Sequence, residues 1–131
     1  MATRESVSDW LNRYVDAWKS YDPQAIGDLF SENAEYYYGP YHGEPLRGRD
    51  AIVVNWLDNK DAPGTYEASY SPIAVEGDVG VSNGRSTYYN SDRSEMVTQY
   101  DNIFVMRFDK DGRCSEFREW FMEKPKPKEK G

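Results

Sequence analysis

The stretch EMVTQYDNIFVMRFDKDGRCSEFREWFM, residues 95–122, reads as two long β-strands joined by a tight turn. Segment 95–108 is rich in β-branched and aromatic residues, segment 113–122 carries the aromatics Phe117, Trp120 and Phe121, and Asp109-Lys110-Asp111-Gly112 between them is a turn-forming cluster. Alternation along the second segment puts Phe117, Glu119 and Phe121 on one face; along the first, Tyr100, Asn102, Phe104 and Met106 share a face. Working back toward the N-terminus, segments 65–76 and 79–90 have the same character, with Glu76-Gly77-Asp78 and Asn90-Ser91-Asp92 as separators. From Gly64 onward the chain therefore reads as consecutive antiparallel hairpins.

Before that point the apolar period is helical. Ser6 or Ser8 can cap a helix whose apolar residues Trp10, Leu11, Tyr14, Val15 and Trp18 recur at three- and four-residue spacing. Asp22 as N-cap and Pro23 at the first helical position start a second helix, with Ile26, Leu29 and Phe30 as its buried stripe. Ala34 to Tyr38 reads as a short strand ended by Gly39-Pro40, and Gly48 to Asn59 as a third helix with Ile52, Val53 and Trp56 on one face. Helices first and hairpins afterwards predict an α+β domain, its antiparallel sheet covered on one face by helices.

A chain of 131 residues has room for one core. The expected domain is 1–123, followed at 124–131 by a disordered basic tail in which lysines alternate with Pro125, Pro127 and Glu129. A net charge of −7 repels phosphate backbones and anionic headgroups, so neither nucleic acid nor membrane is an expected partner. The lone Cys114 has no intrachain disulfide partner, and no stretch reaches the ~20 apolar residues of a membrane span, so a cytoplasmic location is expected. His42 is the only histidine, which argues against a metal site, and Asp109 to Gly112 lacks the closing glutamate of a calcium loop. With no phosphate-binding glycine loop, nucleophile elbow or redox cysteine pair, no cofactor is expected. The anomaly is aromatic content: 15% of the chain, including 11 tyrosines and 4 tryptophans, whose apolar bodies and polar tips suit a partly wet pocket or an interface.

Three stretches together resemble the nuclear-transport-factor-two-like superfamily, which includes SnoaL-type polyketide cyclases, ketosteroid isomerases and limonene epoxide hydrolases. They are Arg13-Tyr14-Val15 followed by Asp22, Ile26, Leu29-Phe30 and Ala34; Gly39-Pro40 leading to Gly48-Arg49-Asp50-Ala51-Ile52; and Val105 to Arg113 followed by Arg118-Glu119-Trp120-Phe121. The resemblance implies a cystatin-like cone, with three N-terminal helices packed on a curved, mostly antiparallel sheet around a pocket. It places Tyr14 where ketosteroid isomerases carry a tyrosine that donates to a developing oxyanion. The isomerase base position falls on Tyr38 or Gly39 and the oxyanion aspartate position on Phe104, which excludes steroid isomerisation by that mechanism. Arg118-Glu119-Trp120-Phe121 resembles the segment carrying an acid of the epoxide hydrolases' Asp-Arg-Asp set; Arg85 matches the central arginine, while Thr87 stands where the second aspartate belongs.

Glu119 between two phenyl rings is a desolvated carboxylate, whose pKa should rise toward neutrality, whereas an Arg85 partner would hold it ionised. Alternatively, Arg85 and Glu119 form a cross-strand ion pair without chemistry, or Glu119 stands on a solvated strand face. Expected pocket residues are Trp18, Tyr36, Tyr38 and Trp56, with Tyr100, Phe104, Phe117 and Phe121 from the long strands. Tyr14 and Asn102 would hydrogen-bond the substrate oxygen or a water, and His42, in a loop near the mouth, is a candidate proton shuttle. These residues point to a cofactor-independent acid/base enzyme of isomerase, cyclase or hydrolase type acting on a small hydrophobic molecule. The alternative is a non-catalytic ligand-binding or dimerisation domain, with Tyr70, Tyr88 and Trp120 on the outer face of the sheet. The resemblance implies a homodimer paired through that sheet.

Overall fold

A computed structural model describes residues 1–126 of the chain. The basic tail expected at 124–131 thus lies for its greater part outside the described residues. Helix α1 spans Arg4–Ser20, α2 Pro23–Asp28 and α3 Arg49–Asp58. Thr3, rather than Ser6 or Ser8, caps α1: its hydroxyl accepts from the Ser6 backbone N–H at 3.0 Å while the Ser6 hydroxyl accepts from the Thr3 N–H at 2.9 Å. This reciprocal pair starts the helix ahead of both serines. Asp22 caps α2 through the Gln24 N–H at 3.1 Å, with Pro23 at its first position.

The strands are β1 Phe30–Tyr37, β2 Leu46–Arg47, β3 Tyr66–Glu76, β4 Val79–Tyr89, β5 Met96–Phe108 and β6 Cys114–Glu123. They form one sheet in the order β2-β1-β6-β5-β4-β3. The four long strands lie where the sequence pattern predicts them. Two features differ from it. Strand β1 begins at Phe30, not Ala34, because Phe30 pairs with Cys114 and the Leu29 carbonyl accepts from the Cys114 N–H at 2.8 Å; β1 and β6 run parallel. The two-residue β2 pairs with Glu35 and Tyr36 and has no signal of its own in the sequence. Register shifts, with the extra residues on β1, β3, β5 and β6, accompany the bending of the sheet into a cone.

The core lies between the sheet's concave face and α1. Trp10 sits at its centre, edge-on to Phe30 and Phe108 at 6.0 and 5.7 Å, its indole N–H bonded to the Leu29 carbonyl at 2.9 Å. Phe104 and Phe117 are fully buried here, so the expectation that they contact substrate is corrected: both rings are packing residues beneath the cavity. Gly84 permits a close approach within the sheet, since a Cβ there would lie 2.1 Å from the Ser69 carbonyl and 2.5 Å from the Tyr70 ring. No helix among the described residues is long and apolar enough to cross a membrane.

Candidate active site

The cone holds a cavity of about 580 Å³. Tyr14 and Trp18 reach it from α1, one turn apart and therefore on one face. Tyr36 and, just beyond β1, Tyr38 form a second wall, and Asn55 and Trp56 of α3 a third. Alternation on the long strands supplies Ser86 and Tyr88, Tyr100 and Asn102, and Glu119 and Phe121.

Phe117 decides how two of the hydroxyls are held. Its ring stacks on Tyr14 at 5.6 Å and on Tyr36 at 4.5 Å, and the two phenol oxygens meet at 3.0 Å. One hydroxyl of the pair donates to the other, which leaves one O–H able to donate into the cavity. Burial pushes both Tyr14 and Tyr36 well above the ordinary phenol range, so both are neutral donors at neutral pH. Burial also raises Tyr38 to about 12, and its hydroxyl donates to Asn55.

Glu119 is the carboxyl group among these rings. Its Oε2 accepts from Asn102 Nδ2 at 3.0 Å, and Oε1 has no hydrogen-bond partner among the described residues. The amide is oriented in turn by Ser86, whose hydroxyl donates to Asn102 Oδ1 at 2.9 Å and itself accepts from Tyr70. Desolvation raises the Glu119 carboxyl from 4.5 to about 7, opposed by the Asn102 hydrogen bond. The result is a carboxyl that exchanges a proton near neutrality, one oxygen fixed and one open, close to neutral phenols.

Arg85 is not part of this arrangement, which corrects the expectation of an Arg85–Glu119 pair. In register, Gly84 stands opposite Asn102, so Arg85 points to the outer face opposite Asp101 and pairs with that acid at 3.5 Å. The side chain is 68% exposed. His42 is also outside the cavity lining: it is exposed, and its ring stacks at 5.7 Å on Phe121, which does line the cavity. Trp18, Tyr36, Tyr38, Trp56 and Tyr100 line it too, as do Tyr14 and Asn102.

Tyr70 and Tyr88, expected on the outer face, line the cavity instead, because the register that turns Asn102 inward also turns Gly84, Ser86 and Tyr88 inward. Asp61 and Tyr21 carry no functional signal in the sequence. Forty residues separate them, and only the fold brings the Tyr21 hydroxyl to the Asp61 backbone N–H at 2.8 Å. Among the described residues no group of three or more histidine, cysteine, aspartate or glutamate side chains forms a metal-binding set.

The chain matches no curated protein. Among solved structures it is similar to an NTF-2-like protein of unknown function from Burkholderia xenovorans LB400, with a TM-score of 0.69 and 20% identity over 97% of this chain and 91% of that one. It is equally similar to a candidate ketosteroid isomerase from Kribbella flavida DSM 17836, with a TM-score of 0.69 and 15% identity over 97% and 85% of the two chains. At these identities the likeness is one of fold. The family model of the SnoaL-like domain matches residues 11–117, from within α1 to within β6, and stops two residues short of Glu119. This protein belongs to the SnoaL-like domain family.

Proposed function

We propose that this protein is a cofactor-independent enzyme that moves a proton on a small, largely apolar substrate. Glu119 is the general acid/base, and the Tyr14–Tyr36 hydroxyl pair donates to the oxygen on which negative charge develops. The observation that carries this reading is the Glu119 carboxyl, raised to about 7, with Oε2 bonded to Asn102 and Oε1 open. A base with a pKa near the working pH combines a usable ionised fraction with useful proton affinity, typically worth about 10²–10⁴-fold in rate. Abstraction of a proton α to a carbonyl leaves an enolate, and a neutral phenol fixed in the cavity stabilises that oxyanion. Phe104 at the isomerases' oxyanion-acid position and Tyr38 or Gly39 at their base position separate this scheme from steroid isomerisation.

The test is solvent-deuterium incorporation into the α-positions of a panel of cyclic ketones, followed by proton NMR in D2O. Exchange above the buffer rate is expected, with an inflection near pH 7 and a loss of about 10²-fold or more in Glu119→Gln. Exchange that persists unchanged in that variant removes Glu119 from the role.

We further propose a homodimer through the outer face of the sheet. Trp120 on that face is 42% exposed, and half-buried Ile103 and Val105 neighbour it on β5. An exposed indole flanked by apolar side chains is a typical interface anchor.

A further inference from the structure

The charge content of the cavity narrows the substrate class. More than half of the lining residues are aromatic, and among the described residues the lining holds two carboxylates, Glu119 and Asp61, and no lysine, arginine or histidine. Asp61 is held much as Glu119 is. Its Oδ2 accepts from the Trp18 indole N–H at 3.0 Å and the Tyr21 hydroxyl at 3.4 Å, while Oδ1 has no partner among the described residues. Trp18 and Tyr88 stand 6.0 Å apart beside it, and Tyr88 meets Tyr100 at 87°, so these rings make walls at steep angles to one another. Tyr88 lines the same cavity as both acids. Lys60 lies over the Tyr21 ring at 5.7 Å but is exposed and does not line the cavity.

Carboxylates without a cation repel anionic ligands, and a neutral ligand would leave Asp61 without a counter-charge. A cation answers both, because ring faces carry negative potential and attract it as the carboxylates do. We propose that the substrate is an organic ammonium compound, its cationic group held against Asp61 and the rings of Trp18 and Tyr88 while its reacting carbon lies at Glu119. This deepens the acid/base reading and rests on the same cavity being the substrate site.

The test compares three probes on the full chain by proton NMR titration: benzyltrimethylammonium, its neutral isostere neopentylbenzene, and the anion phenylacetate. The cation is expected to bind about tenfold tighter than the isostere, with phenylacetate weakest. Raising the salt concentration should shrink that ratio, and Asp61→Asn should remove most of it. If Asp61→Asn does not fold, the wild-type ratio and its salt dependence decide. Equal or tighter binding of neopentylbenzene overturns the proposal, as does a ratio unchanged in a folded Asp61→Asn. Deuterium exchange on neutral ketones is read separately. Exchange without cation preference overturns this inference and leaves the acid/base reading in place, whereas cation preference without exchange supports the inference and removes the catalysis.

Discussion

Replacing Glu119 by glutamine keeps the shape of the side chain and removes its ionisation, so the pair of proteins isolates what the raised pKa does to stability. Below pH 4.5 the carboxyl is protonated in both folded and unfolded chains, and between 4.5 and about 7 the folded chain holds the proton while the unfolded chain does not. Wild-type stability therefore falls as pH rises through that window and is level above it, by on the order of 3 kcal/mol for a shift of this size. Urea unfolding at about pH 4.5, 6 and 8 should show Glu119→Gln gaining on wild type across the series; a constant difference at all three would mean that the carboxyl is ordinary. The acid itself is legible in the amino-acid order, because Phe117 and Phe121 flank it at period two. Its partner is not. Arg85 matches by family position, yet a side chain's face is set by register, and the register of β4 against β5 turns it outward.

At the scale of the element, β4 is where the site is most sensitive to a single atom. Its residues 84, 86 and 88 supply a glycine, a hydroxyl and a ring to the concave face. The glycine lets Tyr70 lie close enough for its hydroxyl to meet Ser86, the start of the hydrogen-bonded run through Asn102 to Glu119. Gly84→Ala forces the new methyl against the Ser69 carbonyl and the Tyr70 ring, a displacement of backbone as well as side chain. The expected cost is about 2 kcal/mol in chemical denaturation, at the level of an overpacked core. A fall in proton-exchange activity should accompany it, since Ser86 moves with the strand and Asn102 on β5 is oriented by Ser86. A variant as stable and active as wild type would show that β4 has room to yield. The hairpin boundaries can be read from Glu76-Gly77-Asp78 and Asn90-Ser91-Asp92, whereas the two-residue β2 cannot, because so short a strand carries no period.

For the whole molecule, the two faces of the sheet divide the work. The concave face is aromatic and holds the cavity; the outer face carries paired charges such as Arg85–Asp101 and Arg118–Glu116 around Trp120. A dimer formed through that face should sediment at twice the mass of one chain. Trp120→Glu should shift it to the single-chain mass without loss of helix or strand by circular dichroism, because the residue is exposed and supports no core contact. A wild type that sediments as a monomer at high micromolar concentration ends the dimer proposal.

Local order along the chain suffices for the succession and kind of every element but β2, and for the desolvated acid on β6. Those depend on apolar period, capping and turn chemistry, which act over a few residues. The same signals yield an α+β domain with helices against an antiparallel sheet, whereas the cone is implied by the family resemblance and is what the structure has. Tertiary structure alone decides which face of β4 looks inward, that Phe104 and Phe117 lie under the cavity rather than in it, and that Tyr21 and Asp61 meet across forty residues. Each of these is a matter of register or of long-range closure. Local preference encodes neither, since a one-residue slip leaves the composition of a strand unchanged and reverses every side chain on it.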